Sequence, residues 1–93
     1  MKLLYTDDAI GDLERLKEFI AVHNSSAAAR IATELVSKIE SLPDFPKIGA
    51  SVELAPVPDS VRDMVFGKYI VRYSVHVNVI IVLRVWHGLE GER

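Results

Sequence analysis

Cysteine is absent from this 93-residue chain, and its absence removes several kinds of chemistry. Without thiols there is no disulfide scaffold, no thiolate zinc site and no cysteine nucleophile. Long apolar runs are also lacking, since no segment approaches the ~18–20 residues that cross a bilayer. The first residues do not contain the apolar core of a signal peptide. We therefore expect a soluble, cytoplasmic protein without membrane contacts.

A strong excess of one charge is missing as well, because the formal net charge is −2. An acidic protein is a poor general ligand for the nucleic-acid backbone, so no such binding is expected. The charge is unevenly distributed: residues 1–59 carry six Lys/Arg and ten Asp/Glu, whereas residues 60–93 carry five and three. The basic second half leaves room for an acidic partner or a local phosphate contact.

Metal and cofactor motifs are also lacking. The three histidines, His23, His76 and His87, do not show metal-ligand spacing on one element. The sequence contains no glycine-rich phosphate loop and no nucleophile elbow. We expect neither a metal nor a cofactor in a chain whose length suits a single domain over residues 1–93.

Two amphipathic helices are predicted in the first half of the chain. Apolar residues at three-to-four-residue spacing indicate a helix over about residues 8–23, with Thr6 or Asp7 as its cap. Asp7, Asp8 and Asp12 suit the positive end of this helix's dipole. A second stripe indicates a helix over about residues 26–42, with Ser25 or Ser26 as its cap. The short link between the helices predicts an antiparallel hairpin.

The second half of the chain is predicted to be extended. All four prolines lie between residues 43 and 60, which predicts a loop with a brief edge strand at Ser51–Leu54. Residue alternation and β-branched side chains then predict three strands in an antiparallel meander, at Val61–Phe66, Tyr69–Val75 and Val79–Trp86. With a first strand near residues 2–6, the result is a two-layer α+β fold. Its order is β-α-α-β-β-β, and the N-terminal helical hairpin packs on an antiparallel sheet.

Several segments of the chain resemble one toxin family. Residues 4–24 resemble the opening strand and helix of ParE-type toxins, and residues 28–31 resemble the start of the family's second helix. The most specific segments are Tyr69-x-x-x-Tyr73 and, later, Arg-Val-x-His-Gly at residues 84–88. On these motifs the chain is similar to the RelE/ParE superfamily over nearly its whole length.

This resemblance implies a type II toxin that is neutralised by a cognate antitoxin. RelE-like members of the superfamily cleave mRNA in the ribosome, whereas ParE-like members inhibit DNA gyrase. Three departures from the nuclease pattern favour the ParE-like, plasmid-stabilisation type. Ile70 stands where the nucleases carry a catalytic arginine, no tyrosine follows Tyr73, and Leu89 replaces the arginine that often follows His-Gly. We therefore expect a gyrase inhibitor without bond-making chemistry of its own.

Two alternatives stay open. RNA cleavage without a metal needs an acid, a base and cations around the phosphorane. A ribosome-dependent endoribonuclease would draw these groups from Arg62, Arg72, Arg84 and His87. A decayed toxin that only binds its antitoxin is the other alternative, because Leu89 also departs from many ParE-like tails.

A basic patch on the sheet is the predicted binding site for the target or the antitoxin. It comprises Arg62, Arg72 and Arg84, together with Trp86 and His87. An arginine within a strand that is apolar on both faces needs a reason, although pairing with neighbouring carboxylates would be reason enough. Trp86 is expected either to pack against the first helix or to anchor the antitoxin. We expect an antitoxin segment, disordered when free, to fold across the uncovered sheet face and form a hetero-oligomer.

Overall fold

A computed structural model describes residues 1–23, 25–53, 56–57 and 60–91, and its order of elements is the predicted one. The elements are β1 Lys2–Tyr5, α1 Asp7–His23, α2 Ala28–Glu40, β2 Ala50–Ser51, β3 Val61–Phe66, β4 Tyr69–Val75 and β5 Val79–His87. The strands form one sheet in the order β1-β5-β4-β3-β2. Both helices pack on the same face of this sheet, so the predicted two-layer α+β fold is confirmed. Within the described residues, no helix is long and apolar enough to cross a membrane.

The sheet is mixed, whereas an antiparallel sheet was expected. β1 runs parallel to β5, with Lys2 opposite Val79 and Tyr5 opposite Val82. The other neighbouring strands are antiparallel. A parallel pair needs a long crossover between its strands, and everything from α1 to β4 supplies that crossover here. The direction of β1 therefore depends on the whole intervening chain.

The edge strand β2 is shorter than predicted. Only Ala50 and Ser51 pair with β3, and Val52 adds a backbone hydrogen bond from its amide to the Val61 carbonyl at 2.9 Å. Leu54, the predicted end of this strand, lies outside the described residues.

The two helices begin in different ways. The Ala9 amide donates to Thr6 Oγ1 at 3.0 Å, which confirms the predicted cap of α1. The same hydroxyl donates to the Leu83 carbonyl at 2.9 Å and so fixes the start of α1 to β5. The serine cap predicted for α2 is wrong, because Ala27 holds the N-cap position without a side-chain hydrogen bond. Ala27 is itself buried, at 8% exposure.

The core lies between the helices and the sheet. It comprises Ala9, Leu16, Leu35, Ile39, Leu42, Met64, Val71, Tyr73, Ile80, Val82 and Val85. The hydroxyl of the fully buried Tyr73 accepts from the Gly49 amide and donates to the Pro46 carbonyl, both at 2.9 Å. A Cβ on Gly49 would lie 2.8 Å from the backbone of Asp63, so this close approach of the loop requires glycine. Tyr73 thereby holds Pro46 and Gly49 against the sheet.

A bulge in β5 decides which of its side chains face the helices. Arg72 of β4 lies opposite Arg84, but the next residue, Tyr73, lies opposite Val82. One residue of β5, Leu83, is therefore extra, and the alternation of inward and outward side chains shifts there. Val82 and Val85 both face the core although they are three residues apart, and Arg84 faces away from the helices.

Candidate functional site

A row of charged side chains crosses the sheet on the face opposite the helices. This outer face carries Asp63, Val65, Ile70, Arg72, Arg84 and Trp86, as the cross-strand pairs show. Arg72 donates from Nε to Asp63 Oδ1 at 2.8 Å and from Nη2 to Oδ2 at 2.9 Å. At the edge of β5, where the Val85 amide also binds Asp12, Arg84 donates in the same manner to this α1 carboxylate, at 2.8 and 3.0 Å. The order along the row is carboxylate, guanidinium, guanidinium, carboxylate.

The pairing of two arginines side by side is explained by this order. Like charges directly opposite each other destabilise a sheet. Because Asp63 and Asp12 flank Arg72 and Arg84, each guanidinium has a bidentate carboxylate partner, the strongest common form of charge-assisted hydrogen bonding. The row is compact and electrically balanced, and its two cations occupy its centre.

Arg62 does not join this row. It lies opposite Tyr73, so its side chain leaves the sheet on the helix side. Its Nη1 donates to the Gly49 carbonyl at 2.7 Å and, more weakly, to the Lys47 carbonyl at 3.4 Å. Of the three predicted patch arginines, the structure brings Arg72 and Arg84 together and places Arg62 beside the loop that Tyr73 also holds.

Asp12 is the centre of the network, a role that its sequence position did not reveal. The carboxylate is 2% exposed and also accepts from the Val85 amide at 2.9 Å and from Arg15 Nη1 at 2.6 Å. Burial alone would raise the pKa of Asp12, but the hydrogen bonds from Arg84, the Val85 amide and Arg15 outweigh burial and hold the pKa at about 2. The one indication of this role in the sequence is the position of Asp12 between Ala9 and Leu16 on the apolar stripe of α1.

Arg15 extends the network to the end of the chain. Its Nε donates to Glu90 Oε2 at 2.9 Å, and its Nη2 donates to Glu90 Oε1 at 3.2 Å and to the Val85 carbonyl at 3.3 Å. The hydrogen bond to Glu90, together with that to Asp12, raises the pKa of Arg15 above its usual range. The guanidinium therefore joins α1, β5 and the C-terminal segment as a permanent cation.

His87 and Trp86 point to opposite faces of β5. The His87 ring is 7% exposed, and its centroid lies 5.2 Å from that of Phe19 and 5.0 Å from that of Tyr69. Its Nδ1 accepts from the Leu89 amide at 3.0 Å, so the neutral ring carries its proton on Nε2. Trp86 lies opposite Ile70 on the outer face, beneath the Arg72 guanidinium at 5.2 Å. The side chain that meets Phe19 of α1 is thus His87, whereas Trp86 is buried on the outer face, at 5% exposure, apart from the core cluster between the helices and the sheet.

The chain matches the profile of a protein family described as the ParE toxin of type II toxin–antitoxin system, parDE, over residues 3–91. The protein belongs to this ParE toxin family. It is 33% identical over 81 residues to Toxin RelE1 of Caulobacter vibrioides, covering 85% of this chain and 84% of the relative. The solved structure of a chromosomal ParDE toxin–antitoxin system from P. aeruginosa superposes with a TM-score of 0.76. That match covers 94% of this chain and 95% of the other at 22% identity, and shows a common fold.

Membership in the ParE family confirms the resemblance to RelE/ParE toxins and makes the chain the toxin of a type II toxin–antitoxin system. The family implies an antitoxin as partner. Among the described residues, no cluster of three or more His, Cys, Asp or Glu side chains is arranged to hold a metal ion.

Proposed function

We propose that this ParE toxin acts in the cytoplasm by binding DNA gyrase and that it does not cleave RNA. The observation that carries the proposal is the engagement of Arg72 and Arg84 by Asp63 and Asp12. A nuclease needs cations that are available to a phosphorane, and these two guanidinium groups already have carboxylate partners.

The positions of the other nuclease candidates support the same proposal. Arg62 leaves the sheet on the helix side, so it does not converge with Arg72 and Arg84. His87 is packed between Phe19 and Tyr69, and its Nδ1 already accepts a hydrogen bond. A general acid or base must come within about 3 Å of the proton that it transfers, and the buried His87 ring does not face the arginine pair.

Two assays on purified toxin test this proposal. Supercoiling of relaxed plasmid by DNA gyrase is expected to fall at micromolar toxin and to recover when the antitoxin is added. Messages in a translating extract are expected to stay intact, without codon-positioned cuts. Normal supercoiling combined with arrested translation would be evidence against gyrase as the target.

A ribosome-dependent endoribonuclease is the second candidate function, favoured by the name of the 33% identical relative, Toxin RelE1. In that case Arg72 and Arg84 would have to exchange their carboxylates for phosphate oxygens, with Arg62 and His87 as the remaining candidates. Mapping mRNA ends after induction separates the two functions, because codon-positioned cuts appear only with a nuclease. Growth without any defect would favour the third possibility, a toxin that retains only antitoxin binding.

The outer face is our proposed antitoxin site. Val65 is 69% exposed and lies in register with Ile70 and with Trp86, whose ring is buried beneath the Arg72 guanidinium, so Val65 and Ile70 supply the accessible apolar surface beside the charged row. A carboxylate placed between Arg72 and Arg84 would reduce the repulsion between the two guanidinium groups. An antitoxin segment with apolar residues on either side of an acid suits this pattern, and its folding on the toxin would give a hetero-oligomer.

A further inference from the structure

The outer edge of β5 changes character at Val82, where its pairing with β1 ends. Beyond Val82, side chains form hydrogen bonds with the amides and carbonyls of β5 that a neighbouring strand would otherwise bind. Thr6 Oγ1 donates to the Leu83 carbonyl, and Asp12 accepts from the Val85 amide. An open strand edge is a template for another strand, so its backbone groups are usually covered.

Two further side chains complete this cover. Arg15 donates to the Val85 carbonyl at 3.3 Å, and Glu90 Oε1 accepts from the His87 amide at 3.0 Å. The Val85 amide, the Val85 carbonyl and the His87 amide thus donate, accept and donate in turn, as the backbone groups of a paired strand do. Three of the four covering side chains belong to α1 or its cap, whereas Glu90 comes from the turn that follows β5.

The Glu90 carboxylate occupies a well-formed anion site. Both of its oxygens meet the Arg15 guanidinium, at 2.9 and 3.2 Å, and one also accepts from the His87 amide. The Glu90 side chain is 10% exposed, although its neighbour Leu89 is 78% exposed. In this turn the Glu90 carboxylate therefore points inward, whereas the apolar side chain of Leu89 stays in solvent.

We propose that Arg15 and the His87 amide form a carboxylate receptor that Glu90 fills in the free toxin and an acidic residue of the antitoxin fills in the complex. Glu90 shows which ligand this site binds, because the Arg15 guanidinium and the His87 amide together favour a carboxylate. This inference rests on the antitoxin partner of the proposed function and is independent of the gyrase target.

The antitoxin carboxylate is expected to take over both contacts of Glu90. Release of Glu90 frees the His87 amide at the end of β5, and this amide then donates to the incoming carboxylate together with the Arg15 guanidinium. Arg15 stays in place because Asp12 still holds its Nη1 atom. The exchange replaces one carboxylate with another, so the half-buried Arg15 guanidinium keeps a carboxylate partner before and after it.

A chemical rescue experiment tests the receptor in the full-length toxin. Glu90→Ala removes the carboxylate, and the melting temperature is expected to fall. Propionate should raise the melting temperature of this variant more than that of wild type, whereas propionamide should not. Glu34→Ala is the matched control, because Glu34 pairs with Arg30 on the exposed surface of α2 and its removal creates no enclosed anion site. Equal responses to propionate and propionamide would overturn the receptor.

Antitoxin affinity tests the exchange itself. Calorimetry measures the affinity of each toxin variant for the antitoxin encoded beside it. Glu90→Ala should bind the antitoxin about tenfold more tightly than wild type, since no internal carboxylate then competes for the site formed by Arg15 and the His87 amide. Arg15→Gln should bind about tenfold weaker, because it removes the guanidinium fork. If Glu90→Ala does not fold well, Glu90→Gln gives the same comparison with the shape of the side chain retained. An affinity that is unchanged or lower in the Glu90 variants contradicts the exchange. None of these measurements involves gyrase, so a wrong target would leave their outcome unaffected.

Discussion

Arg72 and Arg84 lie directly opposite each other on β4 and β5, and each binds the carboxylate of a different element. The partner of Arg72, Asp63, lies on the next strand, so that pair stays within the sheet. The partner of Arg84, Asp12, lies on α1, so that pair joins the two layers of the fold. Substitution of Arg72 should therefore disturb a contact within the sheet, whereas substitution of Arg84 should disturb a contact between the sheet and α1.

Substitution of Asp12 should be far more damaging than substitution of an exposed carboxylate in the first turns of a helix. Asp12→Ala leaves Arg84 and the buried Val85 amide without their acceptor, and we expect a loss of about 3 kcal/mol or more in the free energy of unfolding. Asp8→Ala is the control, because the Asp8 side chain is 75% exposed and lies 3.9 Å from Arg84. Urea denaturation compares the two, and similar losses would argue against Asp12 as the centre of the network.

Stability should depend on Asp12 in acid. The carboxyl has a pKa of about 2 in the folded protein against its usual 3.8, so the folded state favours the charged form. This contribution is complete above about pH 4 and is lost as the pH falls through about 2, a change of roughly 2 kcal/mol. The difference in unfolding free energy between wild type and Asp12→Asn should therefore shrink over this range. A difference that is constant from pH 5 to 2 would contradict the assignment.

The loop before β2 should depend on a single hydroxyl group. Tyr73→Phe removes the acceptor of the Gly49 amide and the donor to the Pro46 carbonyl within the core, and we expect a loss of about 2 kcal/mol in unfolding free energy. The Gly49 amide should exchange its hydrogen faster in the variant than in wild type. Unchanged exchange at Gly49 would show that the hydroxyl does not hold the loop.

Two glycines should respond differently to alanine. Gly49→Ala places a Cβ 2.8 Å from the Asp63 backbone and should cost about 1–3 kcal/mol through overpacking. Gly88→Ala places a Cβ at an ordinary 3.5 Å from the Lys68 carbonyl and should stay within about 0.5 kcal/mol of wild type. Thermal melts of both variants provide the comparison, and equal melting temperatures would be incompatible with this packing.

Charge reversal on the outer face should weaken antitoxin binding. Arg72→Glu places a carboxylate beside Asp63 and repels an acidic partner, and we expect a loss of a few kcal/mol in binding. Arg30→Glu is the control, because the Arg30 side chain is 66% exposed on α2. If calorimetry gives the wild-type affinity for both Arg72→Glu and Arg84→Glu, the outer face is not the docking surface. Melting curves of each variant separate lost binding from lost folding.

Local patterns in the sequence were sufficient for the order and type of the main elements. Periodicity predicts α1 and α2, alternation predicts β3, β4 and β5, and Thr6 is recognisable as a cap. These signals are local because a helix or strand repeats its own geometry every few residues. The resemblance of the closing strands to ParE toxins depends on similarly local motifs.

Tertiary structure alone decided how the charged residues are grouped. Register and the bulge at Leu83 place Arg72 beside Arg84, while strand parity puts Arg62 on the other face. Three contacts join residues that are more than 70 positions apart in the sequence. They are the parallel pairing of β1 with β5, the bond of Asp12 to Arg84 and the bond of Arg15 to Glu90. Such contacts leave no periodic trace in the sequence, because they arise only when separate elements pack and their buried polar groups must find partners.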